Sequence, residues 1–368
     1  MAIVGSTVSV YTAALRHSSS TLTPISVCYL LLLAINYSIM PRISKKYFDK
    51  RISKESIALV EEVTKFSMGV AGFAITHPAG TEARKAALRN WTLSSSFLAA
   101  GLPSALYAIQ GVLTYTSYQN LDSVTFNGLT QTKTLSAALF CYLLLGKVQS
   151  PLQILALGLL SLSAVIFQGF LDGLVSTSST SSTRALNKGS SKDLMKLKMR
   201  SSWFVLGVIP CLTATILSGF AGALSQKSLQ SIVGSMNRDA YFYSAEISFF
   251  SAVCLTVSIF LKRISEKKKI LDNKNAPSIL EAKSTRYFQY WSYETLVPIL
   301  VKATGGILTA LLHKHAGSVM KGFALVLGLV FSGVTQTALD DKALTFSQAL
   351  GTVIVLLSSW LHFTNPAI

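Results

Sequence analysis

Charge is what this sequence has least of. Asp, Glu, Lys and Arg together make up 13% of its 368 residues, where a soluble chain carries roughly 25%. Acidic residues are the scarcer sign, 16 against 33 basic ones, for a net charge of +17. Cysteine is rare as well: Cys28, Cys141, Cys211 and Cys254 lie far apart inside apolar blocks. With no CxxC and no Cys/His spacing they exclude a recognisable metal site and read as small core hydrophobes. Also missing are an HExxH motif, a paired carboxylate site, a Ser/His/Asp constellation and a Gly-rich phosphate loop. The histidines, His17, His77, His313, His315 and His362, mostly fall at the ends of apolar blocks, where interfacial roles are commoner than catalytic ones. Neither an enzyme nor a metal or cofactor is expected.

What the chain has instead is apolar length. Half of its residues are hydrophobic and its mean hydropathy is +0.48. These residues fall in blocks of about 20, the number that spans a hydrocarbon core at 1.5 Å rise per residue. Lipid offers no hydrogen bonds to a backbone, so such blocks must be helices. The expected class is an all-α membrane protein. Its ten spans are read as Thr23–Met40, Ser56–Ile75, Ser94–Tyr115, Ser123–Leu145 and Leu152–Leu171, then Trp203–Ser225, Ala240–Leu261, Thr295–Leu312, Val319–Gln336 and Thr345–Leu361. The second is the least apolar, carrying Glu61, Glu62 and Lys65, although its later part, FSMGVAGFAI, is fit to insert.

Residues 1–22 contain no acidic group and show no secretory cleavage pattern, so a disordered tail is expected there. A Ser/Thr-rich stretch that turns basic, residues 172–201, has the composition of a solvated linker. It separates a five-span half, 23–171, from a second, 202–363, which leaves a short tail at 364–368. Each half contains a Lys followed six residues later by Gln and an apolar helix, Lys147 with Gln153 and Lys342 with Gln348. Two five-helix copies have inverted topology, and such transporters bind substrate near the midplane between them. The basic excess lies in loops, where it sets topology and meets anionic lipid rather than nucleic acid. Loop charge alone would place both termini outside the cytosol.

An ionisable group inside a span is a functional candidate by default. The candidates are Glu61, Glu62, Lys65, Lys133, Glu246, Lys302 and Lys321. Lys133 and Lys321 occupy the equivalent fourth and ninth spans, so a pseudo-twofold would bring both to one cavity. There an ammonium is a strong point charge for phosphate. Lys133, about ten residues into its span, favours the cavity, whereas Lys321, near a span start, either enters it or snorkels to the interface. Glu62 and Lys65 are three apart and should neutralise each other on one helix face. The small-residue run SGFAGALS places Ser218, Gly219 and Gly222 on a helix able to approach another closely.

Taken together, these residues resemble a known family. YAIQ (Tyr107–Gln110) followed by NLD (Asn120–Asp122), QTK ending at Lys133, SGFAGALSQKSL, the VMKGF element with Lys321, EEVTKF (Glu61–Phe66) and the closing LTFSQALG segment occur in the order seen in the CMP-sialic acid and UDP-galactose transporters. The similarity extends over residues 56–363 or so. It implies the drug/metabolite-transporter fold, ten helices as two inverted five-helix repeats. It also implies exchange of a nucleotide sugar, of pyrimidine type, for the nucleoside monophosphate by alternating access in the Golgi membrane, with both termini cytosolic. The resemblance puts Tyr107 and Gln110 near the base, Lys133 and Lys321 at the phosphates, Ser218, Gly219 and Gly222 along the wall, and Asn120 and Asp122 in the turn before the fourth span. The expected partners are the nucleotide sugar, the monophosphate and the bilayer, with homo-oligomerisation open.

Departures from that pattern are Gly111, Phe126, Thr130, Leu224, Gln226, Glu246 and Lys302, where the family shows Asn, Tyr, Tyr, Tyr, Glu, a different element and Gln. They fall where base and sugar would be read, so the particular substrate does not carry over. Two other readings stay open: an organic-phosphate or drug/metabolite carrier of this fold in a plastid or other membrane, and a non-transporting scaffold. Lys302 needs a counter-charge at mid-span depth. The first expectation is a salt bridge to Glu246 on the seventh span; the second is the anionic substrate itself.

Overall fold

The computed structural model describes residues 23–48, 51–89, 91–121, 126, 129–167, 204–230, 238–272, 288, 290–340 and 345–365. Eleven principal helices organise them. They are α1 (Pro24–Tyr47), α2 (Lys54–Thr76), α3 (Glu82–Arg89), α4 (Leu102–Asn120), α5 (Thr132–Leu145), α6 (Pro151–Phe167), α7 (Ile209–Gln230), α8 (Ala240–Asp272), α9 (Leu296–His315), α10 (Val319–Asp340) and α11 (Phe346–Thr364). A helical turn at Leu93–Ser96 and a π turn at Phe97–Gly101 lead into α4, and a second π turn, Phe204–Val208, leads into α7. The expected tail at 1–22, the linker at 172–201, and Asp122 lie outside the described residues.

Local chemistry sets the boundaries. The side chains of Thr23, Ser53, Thr92 and Thr345 cap helix starts by accepting from backbone N–H groups, the last two in capping boxes with Ser95 and Gln348. Such caps satisfy donors that a helix start leaves open. Gly146, at φ +66°, ends α5, and Gly317, at φ +91°, makes the tight turn from α9 to α10. These are conformations that residues with a Cβ avoid.

Among the described residues, seven helical segments are long and apolar enough to cross a membrane: α1, α4, α7 and α8 through α11, where α4, α7 and α9 include their leading turns. Two shorter apolar helices, α5 and α6, accompany them. The 23-residue α2 has the length but carries Glu61, Glu62 and Lys65. The protein is thus an all-helical, multi-pass membrane protein. Helix α3 was not anticipated; its sequence EARKAALR is too short and too charged to span. Apolar side chains face outward along the bundle, Leu31, Leu32 and Ile35 on α1 and Val253, Val257 and Phe260 on α8 among them. Lipid, not water, suits such a surface.

The principal helix pairs are α1 with α9 and α10, α2 with α8 and α9, α4 with α7 and α8, α5 with α7 and α10, and α6 with α11. Replacing α1, α2, α4, α5 and α6 by α7, α8, α9, α10 and α11, and the reverse, returns the same list. Beyond it, α9 also packs on α7 and α8. In lipid, helices are held by close packing rather than by hydrophobic exclusion. A Cβ at Gly219 of α7 would lie 2.6–2.7 Å from the backbone of Ser136 and Ala137 on α5, and one at Gly69 of α2 would lie 2.8 Å from the Tyr241 carbonyl oxygen of α8. Burial is uneven along the bundle. Among the described side chains of α8 the buried ones lie between Ala240 and Ser248, and on α7 they continue to Leu229 at its end. Those ends lie on the same face of the bundle as the starts of α1 and α4 and the ends of α9 and α11.

Candidate substrate site

Helices α5 and α10 cross where Thr134 meets Gly322: a Cβ on Gly322 would lie 2.5 Å from the Thr134 side chain. Each contact residue follows one of the two candidate lysines, so Lys133 and Lys321 share this crossing. Lys133 lies within the electrostatic reach of Lys321. Two ammonium groups brought together in a low-dielectric interior repel each other, and a dianion between them removes the repulsion. The Lys321 Nζ stands 5.9 Å from the centroid of the Tyr107 ring, within cation–π range. On α7, a Cβ at Gly222 would lie 3.9 Å from the Tyr107 hydroxyl and 3.5 Å from the Ser318 side chain. A methyl group fits there and a longer side chain would fill the space beside Tyr107.

Tyr107, Gly222, Lys133 and Lys321 therefore form one group on α4, α7, α5 and α10. Gln110 is one turn along α4, half-buried, with its Nε2 donating to Thr114 at 3.3 Å. Ser218 is one turn back from Gly222 and half-buried, while Gly219 belongs to the α5–α7 contact. Asn120 donates its side-chain amide to the Thr116 carbonyl and closes the end of α4.

Lys302 joins a second group. Its Nζ pairs with Glu61 on α2. The other Glu61 oxygen lies 3.4 Å from Lys65, and Lys65 lies 2.6 Å from Glu62, so the expected Glu62–Lys65 pair is present inside a four-charge network. Two carboxylates and two ammonium groups balance, as charges at membrane depth must. Gly306 admits the Lys65 stem, since a Cβ there would lie 2.5 Å from it. Lys302 is 48% exposed, yet it lies on the side of α9 opposite the lipid-facing stripe Val297, Leu300 and Thr304. Its open side is the bundle interior.

The expected Lys302–Glu246 bridge is absent. Glu246 is buried and pairs with Arg238, and it accepts from Trp91 Nε1 at 2.8 Å and Ser96 Oγ at 2.7 Å. Arg238 also donates to Ser95 Oγ at 2.9 Å. The reason is depth. Asp239, just before α8, approaches Lys314 near the end of α9 at 3.9 Å, so these ends share a level. Counting 1.5 Å per residue from there, Glu246 is about 10 Å in and Lys302 about 20 Å in. Arg238, a loop cation by sequence, is 7% exposed. His313 and His362, expected at the interface, are buried as well.

One arrangement had no clear signal in the sequence. Gln226, noticeable only as a departure from Glu, is 2% exposed. Its Oε1 accepts from the Ser318 backbone N–H at 2.7 Å and from Cys141 Sγ at 3.2 Å. Cys141 is therefore more than a small core residue.

The fold and site thus define a polytopic helical membrane protein with paired interior cations, and comparison with known proteins gives the family. Residues 18–363 match the family model described as nucleotide-sugar transporter. Among curated relatives, the UDP-N-acetylglucosamine transporter ROCK1 of Arabidopsis thaliana is 33% identical over 325 residues, covering 88% of this chain and 87% of that one. The UDP-galactose transporter of Schizosaccharomyces pombe is 27% identical over 340 residues, 91% and 84% of the two chains. The UDP-N-acetylglucosamine transporter of Mus musculus is 28% identical over 266 residues, 72% and 70%. A crystal structure shares the fold alone, with a TM-score of 0.59 at 9% identity over 91% of this chain and 95% of that one. The chain belongs to the nucleotide-sugar transporter family, whose members are transporters and not enzymes.

Proposed function

We propose that the protein exchanges a UDP-linked sugar for uridine monophosphate by alternating access, as ten transmembrane helices in two inverted five-helix repeats. The observation that carries this reading is the α5–α10 crossing at Thr134 and Gly322, which Lys133 and Lys321 share, with the Lys321 ammonium 5.9 Å from the centroid of the Tyr107 ring. In this reading both lysines hold the phosphates, Tyr107 and Gln110 lie at the base, and Ser218 and Gly222 shape the wall. Phosphate is the group shared by incoming sugar nucleotide and outgoing monophosphate, so one cation pair serves both directions of exchange. The inverted repeat is supported by the helix pairing, most of which survives interchange of the two sets, the contacts of α9 with α7 and α8 being exceptions. The uridine preference draws on the relatives, which are named for UDP-sugars. Lys302 and its network lie on the interior side of α2 and α9, where the sugar end of the substrate would extend. The expected setting is the Golgi membrane.

Purified protein in liposomes preloaded with uridine monophosphate tests the reading. Labelled UDP-N-acetylglucosamine or UDP-galactose should enter, and omission of internal monophosphate should abolish most uptake. Uptake of neither sugar nucleotide, or uptake indifferent to internal monophosphate, would sink it.

A further inference from the structure

We propose that Gln226 is a positioning residue that ties the phosphate-binding end of α10 to closure of the bundle on the face holding the ends of α7 and α9. This inference rests on the exchange reading above.

The side chain of Gln226 accepts and donates at once, as a neutral amide can. Its carbonyl oxygen accepts from the Ser318 N–H and from Cys141 Sγ, and its Nε2 donates to Gln230 Oε1 at 2.9 Å. Ser318 immediately precedes α10, and its own carbonyl accepts from the Lys321 N–H at 3.3 Å. The amide thus anchors the turn on which Lys321 is built. Gly317 is pressed against it: a Cβ there would lie 2.8 Å from Gln226 Nε2. The bonds continue through Gln230. Its oxygen also accepts from Lys147 Nζ at 2.7 Å, and its Nε2 donates to the carbonyls of His313 and Lys314 at 2.7 and 2.9 Å.

One connected set of bonds therefore joins the end of α5, the end of α7, the end of α9 and the start of α10. Burial on α7 and α8 is concentrated toward this same face. In this reading, opening on that face parts α7 from the α9–α10 turn and breaks the Gln226–Ser318 bond. The residue that anchors Lys321 is also the residue that must let go. Phosphate held by Lys321 is thereby sensed at the seal one turn away.

Three measurements on the full-length protein in liposomes test this. Gln226→Met keeps length and removes every bond, and it should raise the KM for UDP-N-acetylglucosamine about threefold to tenfold, the value of one or two lost hydrogen bonds. Gln226→Glu keeps both acceptor bonds and should return KM toward wild type while lowering Vmax, because its carboxylate faces Gln230 Oε1. A purely structural role predicts less folded protein at unchanged KM. The third measurement needs no change at Gln226. With Cys28, Cys211 and Cys254 replaced by Ser, N-ethylmaleimide should label Cys141 faster during exchange than in substrate-free protein. Equal labelling in the two conditions, or a wild-type KM in folded Gln226→Met, overturns the proposal while exchange itself stands. Absence of any exchange by wild type would instead remove the functional reading beneath it.

Discussion

Lys302 and Glu61 form an ion pair between α9 and α2, and with Lys65 and Glu62 they make a neutral quartet at a depth where single charges are expensive. The pair is set by helix register: α2 packs on α9 and brings Glu61 to the level of Lys302. Lys302→Gln and Glu61→Gln should therefore couple. Each alone should lower the melting temperature of detergent-purified protein, and the double change should lower it by less than the sum of the two. Lys302→Gln with Glu246→Gln should be additive. Additivity in the first cycle would remove the pair from the energetics.

The cation pair makes a sharper claim on transport. Lys133→Ala and Lys321→Ala should each abolish exchange, with expression and membrane insertion near wild type. Lys321→Arg should keep part of the activity, because the charge remains but the stem and head group differ. Uptake at the wild-type rate in either alanine variant would exclude that lysine from the site.

Two glycines three residues apart on α7, Gly219 and Gly222, should respond differently. Gly219 abuts the α5 backbone, which cannot retreat, so Gly219→Val should reduce the yield of folded protein on size-exclusion profiles. At Gly222 a methyl group meets only ordinary contacts, so Gly222→Ala should fold and transport. Gly222→Glu should fold less well and lose transport, through bulk and charge together. Normal uptake by Gly222→Glu would mean that this face of α7 is not the wall.

The buried Arg238–Glu246 pair predicts an asymmetry between removing charge and removing shape. Arg238→Ala strands a buried carboxylate and should destabilise by about 3–5 kcal/mol. The double change Arg238→Met with Glu246→Gln, which leaves no buried charge, should recover much of that loss. Thermal melting of the variants measures both.

The long apolar helices are legible in the sequence; most of the side-chain geometry between them is not. Every expected span contains a described helix, because apolar length and backbone satisfaction in lipid leave little choice. That Lys133 and Lys321 share one helix crossing was legible from their places in the fourth and ninth spans, which were expected to be equivalent. The Lys302 partner was not. The sequence points to Glu246, in the neighbouring seventh span; that α2 packs on α9 and brings Glu61 to the depth of Lys302 is a fact of tertiary packing alone. Arg238 read as a loop cation because nothing in sequence says that a residue just before a helix is folded inward. Gln226 was visible as a change from Glu, without the three donors and acceptors that explain why an amide belongs there.

The quartet also has a history within each newly made chain. Glu62 and Lys65 can neutralise each other as soon as α2 turns into a helix, being three residues apart. Glu61 and Lys302 are 241 residues apart (302 − 61), about 12–50 s of synthesis at 5–20 residues per second. During that interval α2 waits at the membrane with its last partner unmade. Insertion of the first helices is then provisional, and the ribosome's arrival at α9 completes the burial of a helix it finished long before.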